Sequence, residues 1–227
     1  MPPAPVSDTR NALLEAALLC FAKYGSEAAS IRLVASMAGR NSSLIAYHFG
    51  SKEGLHREVV RYVLTHLTAP FPPEGFPLGS GHDRLRAYIC WLLSDLARVH
   101  QSRDPRWVAA RRILLSELHF PHPETRDLLA EHLDAPTREL RAILREIRPD
   151  LDGSEVAFWG FIVQGCCLVP LFADFGSLIW PEFSEPALRF PSQPEELAGR
   201  LTALIHTGLT RPGTAPCIPH QPPQEHP

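Results

Sequence analysis

Residues Ser30 to Leu55 read SIRLVASMAGRNSSLIAYHFGSKEGL, a stretch that spells two short helices around a tight turn. Ser30 is placed to cap a first helix in which Ile31, Val34, Ala35 and Met37 recur at spacings of three and four or less, giving an apolar stripe. Ala38-Gly39-Arg40 reads as the turn. Glycine takes the positive φ with which a chain leaves a helix sharply, and Asn41 is placed to accept from the freed amides of the next helix. That second helix is predicted over residues 42–49. Ile45 and Phe49 lie one turn apart and face inward, which turns Ser42, Ser43, Ala46 and Tyr47 outward. An ordinary surface helix carries Glu or Lys there. Small, uncharged residues suit a helix that lies flush in a DNA major groove about 12 Å wide.

Working outward, a preceding helix is predicted over residues 9–24, with Leu14, Ala17, Leu18 and Phe21 on one face and a stop at Gly25, placed to roof the pair. Ser51 reads as the cap of a following helix in which Leu55, Val59, Tyr62, Val63 and Leu67 repeat at helical spacing. The prolines and glycines of PFPPEGFPLGSG, residues 70–81, forbid a continuous helix and separate two blocks. Helical patterns resume over 82–100, 104–119, 123–147, 154–173 and 194–210, and no run alternates as a half-buried strand must. The expected fold is all-α. Its expected parts are a helix-turn-helix domain at 1–68 with a connecting helix at 52–69, a helical domain at 70–211, and a proline-rich tail at 212–227 too poor in aliphatics to pack.

The 227 residues carry a formal charge of −3, which excludes nothing by itself. Its distribution is more informative: residues 1–68 hold seven Lys/Arg against five Asp/Glu, so the positive balance sits at the end with the helix pair. Five cysteines lack paired spacing, and MPPAPVSDTR has no apolar leader core, so a cytoplasmic, reducing setting is expected. Residues 156–173 are nearly all apolar, but Gln164 and Pro170 interrupt them and no Lys or Arg flanks them; the reading is a helix buried on all sides, not a membrane span. No GxSxG elbow, Walker loop, dinucleotide glycine pattern or HExxH is found, so no enzymatic activity is expected.

The phrase AGRNSSLIAYHFGSKEGL, with Tyr47-His48-Phe49, Ser51-Lys52-Glu53 and Leu55 at this spacing, resembles the DNA-binding end of TetR-family transcriptional regulators over residues of about 9 to 68. The resemblance implies an all-helical homodimer, an N-terminal three-helix DNA-binding domain and a C-terminal domain that binds a small effector and dimerises. It departs from the family at Arg40, where a small apolar residue usually follows the turn glycine, and at Ala46, usually aromatic. Arg40 is expected to swing toward a phosphate. Ser30, Arg32, Tyr47 and Lys52 match positions that in the family hold the DNA backbone, and their chemistry suits an anion. Asn41, Ser42, Ser43, Leu44 and Ala46 complete the expected DNA face: the serines donate or accept, while Leu44 or Ala46 touches a thymine methyl. His48 meets a phosphate or bonds within the domain.

In the C-terminal block Trp91, Trp107, Phe120, Trp159 and Phe161 are the aromatics that could line an effector cavity, although such spacing is also that of plain core. His119 and His122 flank Phe120-Pro121 without other ligands nearby in sequence, so they read as surface histidines; no metal and no cofactor is expected. Cys166-Cys167 read as inert buried thiols. The helices at 154–173 and 194–210, the latter striped by Leu197, Leu201, Leu204 and Ile205, are the expected dimer interface. Together these expectations describe a ligand-responsive repressor on a near-palindromic operator. The alternative is a helical interaction or sensor protein with degenerate DNA binding.

Overall fold

Side chains that catch free amides set where the helices begin. Ser30 Oγ accepts from Leu33 N–H at 3.1 Å, and Ser51 Oγ from Gly54 N–H at 3.0 Å. Ser80 and Asp83 form a reciprocal capping box. Asp104 accepts from Arg106 N–H at 2.9 Å, and Pro105 takes the first helical position, where a missing N–H costs nothing. The resulting elements are α1 (Val6–Tyr24), α2 (Ile31–Met37), α3 (Ser43–Phe49), α4 (Lys52–His66), α5 (Gly81–Gln101), α6 (Pro105–His119), α7 (Arg126–Ile147), α8 (Gly153–Leu168) and α9 (Pro194–Thr210). The structure, a computed structural model, describes residues 6–72, 74–76, 79–168 and 194–211. All regular structure among them is helical, as the apolar spacing predicts.

Two apolar cores hold these helices. The first gathers Leu13, Ala17, Leu18 and Phe21 of α1, Val34 and Ala35 of α2, Ile45 of α3, and Leu55, Val59, Val60 and Val63 of α4. It also takes in Ala109, Ala110 and Ile113 of α6 and Leu129 of α7. The second joins Leu85, Tyr88 and Ile89 of α5, Leu140, Ile143 and Leu144 of α7, Val156 and Val163 of α8, and Ile205 and Leu209 of α9. A fully buried Leu, Ile or Val contributes about 1.5–3 kcal/mol. By that measure α4, which buries Leu55, Val59, Val60, Val63 and Leu64, is firmly seated. The seven-residue α3 buries Ile45 alone and rests on half-buried Leu44 and Phe49 besides.

Several details differ from expectation. α1 begins at Val6, α4 stops at His66, and α7 starts at Arg126. Ile31 and Met37 are exposed: α2 leans on α1 through Val34 and Ala35 only, so the stripe ends project past its support. Asn41 caps one residue early, its Oδ1 accepting from the Ser43 N–H and Oγ, both at 2.9 Å, while Ser42 occupies the cap position with no side-chain bond. α8 is not buried on all sides within one chain, because Phe158 and Phe161 face outward. Its burial of Val156, Val163 and Cys167 leaves the far side open. No described helix is long and apolar enough to cross a membrane. The expected continuation of α8 through 169–173, the tail at 212–227 and Cys217 lie outside the described residues.

Candidate DNA-binding surface

The turn between α2 and α3 is built as its residues require. Gly39 sits at φ 62°, a left-handed conformation costly for a side-chain-bearing residue, and Arg40 N–H returns to the Ala35 carbonyl at 2.9 Å. α3 is thereby set off from α2 with Ile45, 1% exposed, pointing into the first core. Tyr47, two residues on, is 76% exposed. Ser43 and Ala46 share its outward side, and Ser30 and Arg32 at the start of α2 are exposed as well. No Asp or Glu occurs between Glu27 and Glu53, whereas Arg32, Arg40 and Lys52 do, so this face carries cations without competing carboxylates of its own segment.

Not every expected contact projects freely. Arg40 is half-buried and folds back, its Nη1 donating to the Gly39 carbonyl at 3.3 Å, and its buried Nε has no partner. Ser42 and Leu44 are half-buried beside the turn, and Asn41 is exposed but engaged with Ser43. His48 stands between the rings of Tyr47 and Phe49, at centroid distances of 4.9 and 6.1 Å. Lys52 Nζ donates to the Glu27 carbonyl at 2.7 Å, which holds the ammonium beside the end of α1. An ammonium has three donors, so two remain for an anion.

Two supporting residues escaped the sequence reading. Arg10 of α1 places its guanidinium 5.2 Å from the Phe49 ring centre and pairs with Glu58 of α4 at 2.6 Å, so one cation links the end of α3 to α1 and α4. Gly54 lies in the first turn of α4, where a Cβ would stand 2.1 Å from the Phe49 carbonyl oxygen. Helix propensity alone favours Gly54→Ala by about 1 kcal/mol. The collision outweighs it: we expect Gly54→Ala to destabilise by about 1–3 kcal/mol, read by urea unfolding, because the end of α3 must shift. Neither signal is local in pattern: Arg10 meets Phe49 from another helix, and a glycine has no side chain to announce the carbonyl packed against it.

The five aromatics of the C-terminal block are not brought together. Trp91 packs with Phe71, Phe76 and Tyr88 under the 70–81 connection and donates to the Pro70 carbonyl at 3.3 Å. Trp159 joins the second core, Trp107 the first, where the Arg98 guanidinium lies over its ring. Phe120 and Phe161 are each 73% exposed. Cys167 is buried, which pushes its thiol up to about 12 and keeps it protonated.

His119 is exposed, but His122 is not an ordinary surface histidine. Its Nδ1 lies 2.6 Å from Glu117 Oε1, whose other neighbour is the Nε2 of His56, at 3.3 Å. Burial works against charge here, yet bonds from His56, Thr125 and His122 hold the Glu117 carboxyl well below the usual range. For His56 burial is likewise opposed and outweighed by Glu117 and Glu124, which raise it. Arg57 stands nearby, clamping Asp127 with two bonds of 2.6 and 2.5 Å and so tying α4 to α7.

Comparison with known proteins agrees with this geometry. Residues 13–59 match the family model for bacterial regulatory proteins of the tetR family. The transcriptional regulator BetI of Vibrio campbellii is 33% identical over 79 residues, 34% of this chain and 40% of its own. The regulator RutR of Escherichia coli is 28% identical over 142 residues, 61% of each chain. The chain thus spans 40 to 61% of the length of these curated relatives. The crystal structure of HlyIIR, a hemolysin II transcriptional regulator, shares the fold at a TM-score of 0.58 and 18% identity, over 88% of this chain and 97% of that one. Residues 13–59 are thus similar to the DNA-binding end of TetR-family regulators, and the all-helical architecture around them shares its fold with the HlyIIR structure.

Proposed function

We propose that this protein is a ligand-responsive transcriptional repressor that binds a near-palindromic double-stranded operator as a homodimer. The observation that carries the reading is the split along α3: Ile45 is buried while Tyr47, Ser43 and Ala46 stand outside on a segment free of carboxylates. Ser30, Arg32, Tyr47 and Lys52 hold phosphates; Ser42, Ser43, Leu44 and Ala46 meet base edges, with Arg40, Asn41 and His48 at the margin. Residues 1–68 form the DNA-binding domain, and 70–211 the effector-binding and dimerisation domain. Exposed Phe158, Phe161 and Leu204 on α8 and α9 support a four-helix interface with a second copy, which covers apolar side chains a single chain leaves wet. The two α3 helices then enter successive major grooves about 34 Å apart. Effector binding favours a dimer with the wrong separation, and the Arg57–Asp127 clamp supports α4 as the lever. Trp91 and Trp159, in the second core, are the effector-side aromatics this reading keeps.

Selection from a random duplex pool, followed by anisotropy titration over a salt series, tests the reading. The expected result is a two-fold symmetric site bound by two chains, with Lys52→Ala lowering the slope of log affinity against log salt by about 1 per half-site on specific and random DNA alike. An unchanged slope removes Lys52 from the contacts. Failure to enrich any site, with no salt-sensitive shift of random duplex, leaves a helical interaction protein as the function.

A further inference from the structure

His56 and, some sixty residues on, the near neighbours Glu117 and His122 converge where the end of α1, α4 and the α6–α7 connection meet. His56 Nε2 and His122 Nδ1 both face Glu117 Oε1, at 3.3 and 2.6 Å, and the three ligand atoms lie within 4.8 Å of one another. His56 and Glu117 are buried and His122 is half-buried. We infer that His56, Glu117 and His122 form a site for a divalent transition-metal cation of the zinc class.

The outer atom of each of these residues is also held. His56 Nδ1 is paired with Glu124 Oε1 at 3.2 Å, His122 Nε2 with Ser26 Oγ at 3.0 Å, and Glu117 Oε2 accepts from the Thr125 hydroxyl. A metal-binding imidazole is oriented by such a partner on its far nitrogen, and a carboxylate there raises its basicity. The inner atoms are thus directed at one point while the outer ones are fixed. Glu117, Glu124 and Glu27, whose Oε1 is 3.7 Å from His122 Nε2, surround two imidazoles with three carboxylates, a balance that favours a dication. Two nitrogens and one oxygen suit zinc and its neighbours rather than magnesium or calcium, which prefer oxygen alone. A cavity of about 140 Å³ lined by His56, Glu117, Ser26 and Ser116 adjoins the cluster and has room for water as a fourth ligand.

The test is equilibrium dialysis of the metal-stripped full chain against Zn²⁺, with Co²⁺ as a visible-absorption probe. The expected result is about one ion per chain, a four-coordinate Co²⁺ spectrum without sulfur charge-transfer bands, and a thermal midpoint raised by about 5–10 °C at a hundredfold excess of Zn²⁺ over Kd. His122→Ala, at a half-exposed position, removes a donor and lowers affinity by at least about 100-fold, whereas Glu124→Ala, which frees the far nitrogen of His56, costs about 10–100-fold. Exposed His119→Ala leaves binding unchanged. Glu117→Gln keeps size and removes the anionic donor; should it fail to fold, His122→Ala and Glu124→Ala decide. Absence of stoichiometric uptake, thiolate bands in the Co²⁺ spectrum, or undiminished binding by His122→Ala overturns the inference and leaves the cluster a hydrogen-bonded brace.

Discussion

Tyr47→Ala is expected to abolish operator retention in a gel shift while the chain stays folded by circular dichroism. Tyr47 is 76% exposed, with its ring edge-on to its neighbour His48, so its loss opens no cavity. A hydrogen bond to a charged phosphate is worth about 1.5–3 kcal/mol, and a dimer forfeits it twice, which amounts to roughly 100- to 10,000-fold in affinity. Full retention would count against docking through this face.

Ile45→Ala is expected to do the reverse: the fold suffers first. Ile45 is 1% exposed and is the buried residue by which α3 is pinned to the first core. Removing a buried Ile side chain costs about 2–5 kcal/mol, which in a chain of this size lowers the thermal midpoint by roughly 5–15 °C. Calorimetry reads the shift directly. A midpoint within a degree of the parent would mean that Leu44 and Phe49 suffice to seat α3. Together the two substitutions, one turn face apart, separate what the helix presents from what holds it.

Features carried by neighbours in sequence were legible; those carried by distant partners were not. The caps Ser30 and Ser51, the Gly39 turn, and the inward Ile45 against outward Tyr47 follow from spacings of a few residues, and the structure keeps them. Ile31 and Met37 lie on the expected helix yet are exposed, because periodicity states which face is apolar and not how far its support extends. Gly54 and Arg10 act on Phe49 across a chain reversal that no local pattern encodes. His122 read as a surface residue for the same reason: His56 lies on α4, and only folding brings it to Glu117. The spacing of the C-terminal aromatics suits a cavity lining or plain core alike, and only the fold separates them: Phe120 and Phe161 face outward, while Trp91 and Trp107 pack on different cores.

The first core does not end with α4. Ala109, Ala110, Ile113 and Leu129 close it from α6 and α7, so a fragment cut after residue 68 would bare the flanks of α1 and α4 to water. Such a miniature should clump or melt where the intact chain is stable, and mutations scored on it would mistake missing scaffolding for lost recognition.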